Sequence, residues 1–336
     1  MRQICGSISD EAIASIQQIL SEYRIASVDK EGRTRETERN NKQRLGAAVI
    51  PGAFEYHRPT SLDEVTSLLM EHGDEGRLLA GGHSLIPMMK LRLANPSHLI
   101  DLRLVAGLKG IEEADGAIRI GAMTTQAEVI ASDLLAARVP ILRETALQIA
   151  DPQVRYCGTI GGNVANGDPG NDMPAVMLAL GADFVARGPS GERSIPARDY
   201  YQAAFTTALA DNEVLSALRI PVPPAGHGWA YEKMKRKVGD YAIAAAAVVL
   251  VMDGGACRDA RIALTNLADV PLLAEAAGRA LIGTPVDGAA TLNAAAAAAA
   301  ITEPASGLHG PAEFRKHVAG VMVRRAILRA RERAGG

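Results

Sequence analysis

Ala80-Gly81-Gly82-His83-Ser84 and Thr159-Ile160-Gly161-Gly162-Asn163 are the two stretches on which the reading of this chain turns. They lie about eighty residues apart, each beside an apolar stretch and each ahead of a segment that can begin a helix. A glycine pair lets the backbone turn tightly and approach a ligand closely, because no Cβ intervenes. Successive N–H groups can then point at one anion. Two such bends suit both phosphates of a dinucleotide, where one alone suggests a single phosphate or a plain turn. Neither matches GxGxxG with an acidic ribose partner, and neither carries the GKS or GKT of a phosphate loop. Nicotinamide-type and nucleoside-triphosphate folds are therefore disfavoured.

Outward from these bends the pattern alternates short apolar runs with helical spacing. Ser61 can cap a helix through Val65, Leu68 and Leu69. Arg77–Ala80, Leu99–Leu102 and Ile118–Ala122 read as strands, and Thr124 or Thr125 caps a helix holding Val129 and Ile130. A helix over 140–149 leads to the second bend. Asp172, Met173 and Pro174 start another that stops before Gly181. Pro221, Pro223 and Pro224 mark a boundary. Beyond it 241–252 and 260–267 read as strands joined by the Asp253-Gly254-Gly255 turn. The alanine run 294–300 and the segment 311–329 read as helices.

The chain has 336 residues, nearly half of them apolar, and a formal charge of −2, enough for two or three domains and a sizeable core. Charges of both signs are interspersed and aromatic residues are few, which argues against nucleic acid and anionic lipid as partners. Cys5, Cys157 and Cys257 stand far apart with no CxxC, so the sequence offers neither an iron–sulfur cluster nor a disulfide framework, and no metal site is read from it. No signal peptide and no membrane span is read, and the cytoplasm is the expected location. Residues 1–48 differ from the rest. Ile8 to Leu20 has the spacing of a short amphipathic helix, and Asp29 to Arg44 is charged and nearly free of apolar residues. This extension reads as a flexible arm or as the product of a start codon placed too early.

Individual residues carry competing readings. Asp172 is a helix N-cap or an acceptor for a sugar hydroxyl. Asp168 reads as a turn residue ahead of Pro169. Ser84 and Thr159 offer hydroxyls to phosphate, and Asn163 suits a left-handed backbone position. His83 supports the loop rather than acting as a base. The run Lys233, Lys235, Arg236, Lys237 is a solvated strand edge, or it turns one cation toward an electron-rich ring. Tyr241 stacks on such a ring or fills core.

At these residues the chain resembles the FAD-binding medium subunits of the molybdenum hydroxylases, the xanthine dehydrogenase family, and within it the medium chains of aerobic carbon monoxide dehydrogenase. The match is carried by IPGAFEY (50–56), AGGHSLIPMMKLRL (80–93), TIGGNVANGDPGNDMPA (159–175), KMKRKVGDYA (233–242) and HGPAEFRKHVAGVMVRRA (309–326). It implies an α+β fold of the PCMH, vanillyl-alcohol-oxidase-like type. Two FAD-binding subdomains would occupy 49–104 and 105–222. A C-terminal domain with a three-stranded antiparallel sheet and a helical bundle would occupy 226–336. It implies that Ala80–Ser84 and Thr159–Asn163 wrap the FAD pyrophosphate with backbone N–H groups, and that Asp172 hydrogen-bonds the cofactor. Leu215 and Lys233 match a flavin-edge contact and a nearby lysine, and Tyr241 would lie near the isoalloxazine. No residue is assigned a catalytic role.

The resemblance further implies a small partner subunit with [2Fe–2S] clusters and a large one with molybdopterin cytosine dinucleotide. A dimer of heterotrimers is expected, with peripheral attachment to the inner membrane left open. Family chains begin close to Ile50, which favours the early-start reading of residues 1–48, with Val49 as initiator. Two rivals remain: a self-contained flavin oxidoreductase, for which the sequence shows no acid–base group, and a binding protein that has lost its cofactor, against which the intact glycine bends argue.

Overall fold

The structure is a computed structural model that describes residues 50–335; the helix expected over 8–20, the charged segment 29–44, Val49 and Cys5 lie outside the described residues. The first sheet is parallel, in the order β1-β3-β2. β1 (Glu55–His57) leads to α1 (Leu62–His72), where the Ser61 hydroxyl accepts from the Glu64 amide at 3.2 Å. β2 (Gly76–Leu79) is buried at every residue and runs into α2 (Leu85–Lys90) and then β3 (His98–Asp101). Val65 and Leu69, one helical turn apart, pack on Leu78 and Ile100 in one cluster.

The second sheet is antiparallel, in the order β4-β5-β10-β6-β7. β4 (Ile111–Ala114) and β5 (Ala117–Gly121) form a hairpin whose turn residues, Asp115 and Gly116, both have positive φ. The chain then leaves the sheet for six helices. They are α3 (Gln126–Ala131), α4 (Asp133–Arg138), α5 (Pro140–Gln148), α6 (Pro152–Cys157), α7 (Ile160–Ala165) and α8 (Asp172–Leu180). Of the two candidate threonines, Thr125 caps α3, in a reciprocal capping box with Glu128. Asp151 caps α6 and Pro152 opens it, but none of its residues is buried, so no apolar period in the sequence marks it. α8 is buried along its whole length and ends on left-handed Gly181. The chain returns through β6 (Asp183–Gly188), β7 (Gly191–Pro196), α9 (Ala197–Tyr200), a small pair β8 (Tyr201–Ala203) and β9 (Thr206–Thr207), and β10 (Val214–Pro221).

The third sheet holds β11 (Gly228–Met234), β12 (Ala244–Asp253), β13 (Ala256–Thr265) and a two-residue fourth strand β14 (Leu272–Leu273), beyond the three strands expected. Gly254 and Gly255 both have positive φ at the β12–β13 turn. The helices α10 (Glu275–Arg279), α11 (Gly288–Ala300) and α12 (Ala312–Arg333) follow. β12 explains its own composition. Ala245, Ala247 and Val249 join the core around α8, while Ala244, Ala246, Val248 and Leu250 join the core under α11 and α12. Both faces are covered, so both are apolar. No helix among the described residues is long and apolar enough to cross a membrane.

Candidate functional site

The first bend, Ala80–Ser84, links the buried end of β2 to α2, with Gly82 at φ +76°. The second is not a loop. Thr159 caps α7 by accepting from the Gly162 amide at 3.0 Å, and both glycines sit in its first turn. Asn163 is therefore helical and not left-handed as its residue type suggested, because the α7 hydrogen bonds extend through it. The bends lie side by side. A Cβ on Gly162 would stand 3.4 Å from the Ala80 Cβ, and one on Gly81 would meet the Cys157 carbonyl at 2.3 Å. Gly161 turns the other way: a Cβ there would lie 2.4 Å from the Ala122 Cβ, so its bareness serves packing under β5.

The two bends also differ in how their backbone N–H groups are used. The amides of Ile160, Gly161 and Asn163 are committed to Thr124, Ala122 and Thr159 carbonyls at 2.8, 2.9 and 3.0 Å. Among the described residues, the amides of Gly82, His83, Ser84 and Leu85 have no acceptor, and the Ser84 side chain does not cap α2. The open donors therefore belong to the first bend. Asn163 contributes otherwise. Its carbonyl accepts from Asn171 Nδ2 at 2.8 Å and its Oδ1 from the Met173 amide at 3.3 Å, which locks α7 to the start of α8.

Asp172 occupies the first turn of α8; the N-cap is Asn171, so the capping role read from sequence is not the one it has. Its Oδ2 accepts from Lys233 Nζ at 2.9 Å and its Oδ1 from the Tyr231 hydroxyl at 2.5 Å. Lys233 and Tyr231 project from the same face of β11, two residues apart. Burial pushes the Asp172 carboxyl above the usual carboxylate range, against the pull of the Lys233 ammonium and the Tyr231 hydroxyl. The basic run is thus divided. Lys233 is shut inside, Lys235 donates to Gln148 Oε1 at 3.0 Å, Arg236 pairs with Asp240, and Lys237 faces solvent.

These parts line one cleft of about 1030 Å³, its open mouth included. Ala80, Gly81, Gly82, His83 and Ser84 form one wall, and Thr159, Gly162 and Asn163 continue it. Asp172 and Lys233 lie deeper, and Tyr241 lines it as well. Tyr241 is half-exposed and leans on Gly170, where a Cβ would come within 2.8 Å of its ring. Burial also pushes the carboxyl of Asp168, which accepts from the Gly170 amide at 2.9 Å, above its ordinary value. Ile160, Gly161 and Leu215 do not line the cleft. Ile160 and Leu215 are core residues, with Leu215 on β10 opposite Ala186. Residues given no role of their own from the sequence join in, notably Gln126, Asn171 and Gly239. Gln126 is buried, yet neither its Oε1 nor its Nε2 has a hydrogen-bond partner. Its place directly after the α3 cap was the available signal.

The residues present fit FAD. Open amides on the first bend suit a diphosphate, and bare Gly162 leaves room beside them. The Gln126 amide, buried without a hydrogen-bond partner, lines the same cleft and can take a polar partner there. Asp172, which would repel a phosphate, is held by Lys233 and is suited to a hydroxyl or N–H donor. The family described as "FAD binding domain in molybdopterin dehydrogenase" matches residues 52–223, and the "CO dehydrogenase flavoprotein C-terminal domain" matches 229–330. The chain is 60% identical over 286 residues to the carbon monoxide dehydrogenase medium chain of Afipia carboxidovorans, covering 85% of this chain and 99% of that one. It is 48% identical over 279 residues to the protein of that name from Hydrogenophaga pseudoflava, covering 83% and 97%. It matches a chain in a crystal structure of cyanide-inactivated Cu,Mo-CO dehydrogenase with a TM-score of 0.84 and 61% identity, covering 85% and 100%. With family matches across both halves and identity this high over nearly the full length of those relatives, the chain belongs to the FAD-binding medium subunits of the molybdenum hydroxylases, a family of oxidoreductase subunits.

Proposed function

We propose that this chain is the flavin-carrying relay of a molybdenum hydroxylase complex. It takes electrons from the [2Fe–2S] clusters of a small subunit and passes them to an external acceptor. FAD supplies the ability to accept electrons singly and release them singly or in pairs. The chain's residues do the holding. Amides of Gly82 to Leu85 bind the diphosphate, with Thr159, Gly162 and Asn163 beside it. The amide of Gln126 pairs with a polar edge of the cofactor. Lys233, paired with Asp172, places its amine deep in the cleft, where it favours an electron-rich ring. Tyr241 covers one side and limits water.

The observation that carries this reading is the set of open amides on the first bend together with an orphaned Gln126, all lining a single cleft. The large subunit would hold molybdopterin cytosine dinucleotide and choose the substrate, so nothing in this cleft needs to recognise it. A dimer of heterotrimers in the cytoplasm completes the proposal. The three sheets support a division of the chain at 49–104, 105–222 and 226–336.

The test is the complex purified with Gly162→Leu in this subunit. We expect the three subunits to co-purify, the flavin absorption to disappear, and the clusters to be reduced by substrate without onward transfer to the acceptor. A fully flavinated variant complex with unchanged transfer would overturn the reading.

A further inference from the structure

A second group of titratable side chains lies on the first sheet, away from the cleft. His57 ends β1, His72 ends α1 and His98 begins β3. Scattered in sequence, they converge in the fold, and one ring nitrogen from each lies within 4.8 Å of the other two. His57 Nε2 faces His98 Nδ1 at 3.1 Å, and Glu55 Oε2 lies 3.5 Å from the same nitrogen. The His72 ring stacks on that of His98, with centroids 3.7 Å apart and planes 7° apart. His72 Nε2 is buried and has no hydrogen-bond partner.

The sheet register brings these groups together. Glu55 pairs with His98 and His57 with Ile100 across β1 and β3, so alternate residues of both strands share one face. Gly76 pairs with His98 on the other side. A Cβ on Gly76 would lie 3.2 Å from the His72 Cβ, so the bare glycine makes room for the last turn of α1 to cross the sheet there.

Zinc–imidazole bonds of about 2.0 Å place tetrahedral ligand nitrogens about 3.3 Å apart, and the His57–His98 pair already has that spacing. Three imidazoles with a carboxylate form a donor set for borderline divalent ions of the first transition row. His72, stacked on His98, would have to turn its ring at the helix end to reach the same ion, and its Nε2 has no hydrogen bond to give up. We propose that His57, His72 and His98, with the Glu55 carboxylate as fourth ligand, form a structural site for a divalent transition metal that staples α1 and the edge strand β1 to the central strand β3. β1 is only three residues long and lies at the sheet edge, so such a staple would add materially to its hold. The site is independent of the flavin reading, since none of these residues lines the cleft.

The experiment uses the full-length chain stripped with a chelator and titrated with Zn²⁺ against a chromophoric competitor, then with Co²⁺ to read its visible absorption. His72→Gln and His57→Gln are compared with the wild type and with His317→Gln, an exposed histidine on α12. We expect one equivalent of zinc in the wild type and in His317→Gln, raising the melting temperature. In each cluster variant affinity falls by more than about tenfold, the low end of what loss of even an outer-shell partner costs. Those variants also lose the zinc-dependent rise, while their metal-free melting temperatures stay near the wild-type value. No saturable uptake by folded wild-type protein, or uptake that both cluster substitutions leave unchanged, would overturn the site.

Discussion

Lys233 and Asp172, 61 residues apart in sequence, are joined by a buried ion pair of 2.9 Å between β11 of the third sheet and the first turn of α8. Their side chains are 2% and 7% exposed, so neither charge has water to fall back on. Removing one partner leaves the other uncompensated, which is the costly way to break such a pair. Lys233→Met is expected to destabilise the protein by about 3–5 kcal/mol in urea unfolding. Adding Asp172→Asn should recover most of that loss, because the stranded charge is then gone. Equal destabilisation in the single and double variants would show that the pair is not the reason.

Gln126 should show opposite signs for stability and binding. Its two amide atoms are buried without partners, so Gln126→Leu relieves an unmet polar demand. The cofactor-free variant is expected to unfold at higher urea, by about 1 kcal/mol. Its affinity for FAD should fall about tenfold or more, since the ligand edge that pairs with the amide is left unmatched. Calorimetric titration of the apoprotein measures the second effect, and unchanged affinity would remove Gln126 from the site.

The two glycines of the second bend should separate by substitution with alanine. At Gly161 a Cβ meets the Ala122 Cβ and carbonyl oxygen at 2.4 and 2.5 Å, so backbone must move. Gly161→Ala is expected to cost about 1–3 kcal/mol of stability. At Gly162 the nearest atom is the Thr159 hydroxyl at 2.8 Å, a side-chain group. Gly162→Ala disturbs the Thr159 cap at a cost of about 1 kcal/mol, which the higher helix propensity of alanine offsets by about the same amount. The unfolding midpoint should therefore stay nearly unchanged while FAD retention on gel filtration weakens. The reverse ranking would refute the assignment of one glycine to packing and the other to the cleft.

Asp101 gives a pH dependence in the acid range. Burial alone would raise its carboxyl, but donors from Arg103 and Tyr56 outweigh this and hold it below its ordinary 3.8. Arg103 Nε lies 2.7 Å from Oδ2, and the Tyr56 hydroxyl donates to the same oxygen. A carboxylate with a lowered folded pKa adds stability that is full above the unfolded value and is lost as pH falls through the folded one. The wild type should therefore lose melting temperature more steeply than Asp101→Asn as pH drops below about 4. Parallel curves for the two proteins would contradict this.

Local signals were legible wherever neighbours in sequence supply the physics. Ser61 and Thr125 as caps, Gly181 as a helix stop and the Gly254-Gly255 turn all follow from donors, acceptors and φ values that a few residues settle among themselves. So did most of the cleft wall, because bare backbone at Gly81, Gly82 and Gly162 is written in the residue type. α6 was not legible, since it buries nothing and so leaves no apolar period. Leu215 and Ile160 went to the core for the opposite reason: an apolar residue beside a motif is drawn to whatever surface lies beneath it.

The sequence by itself determined the main helix caps and stops, the two glycine bends and, through the resemblance they carry, the family. Only the tertiary structure decided that the second bend is a helix turn with its amides already committed, and that Lys233 rather than its basic neighbours turns inward. It also decided that Gln126 is left without a partner and that three distant histidines meet on one sheet face. These outcomes depend on which carbonyl, carboxylate or ring ends up within about 3 Å, and that distance is fixed by packing between segments that share no local signal.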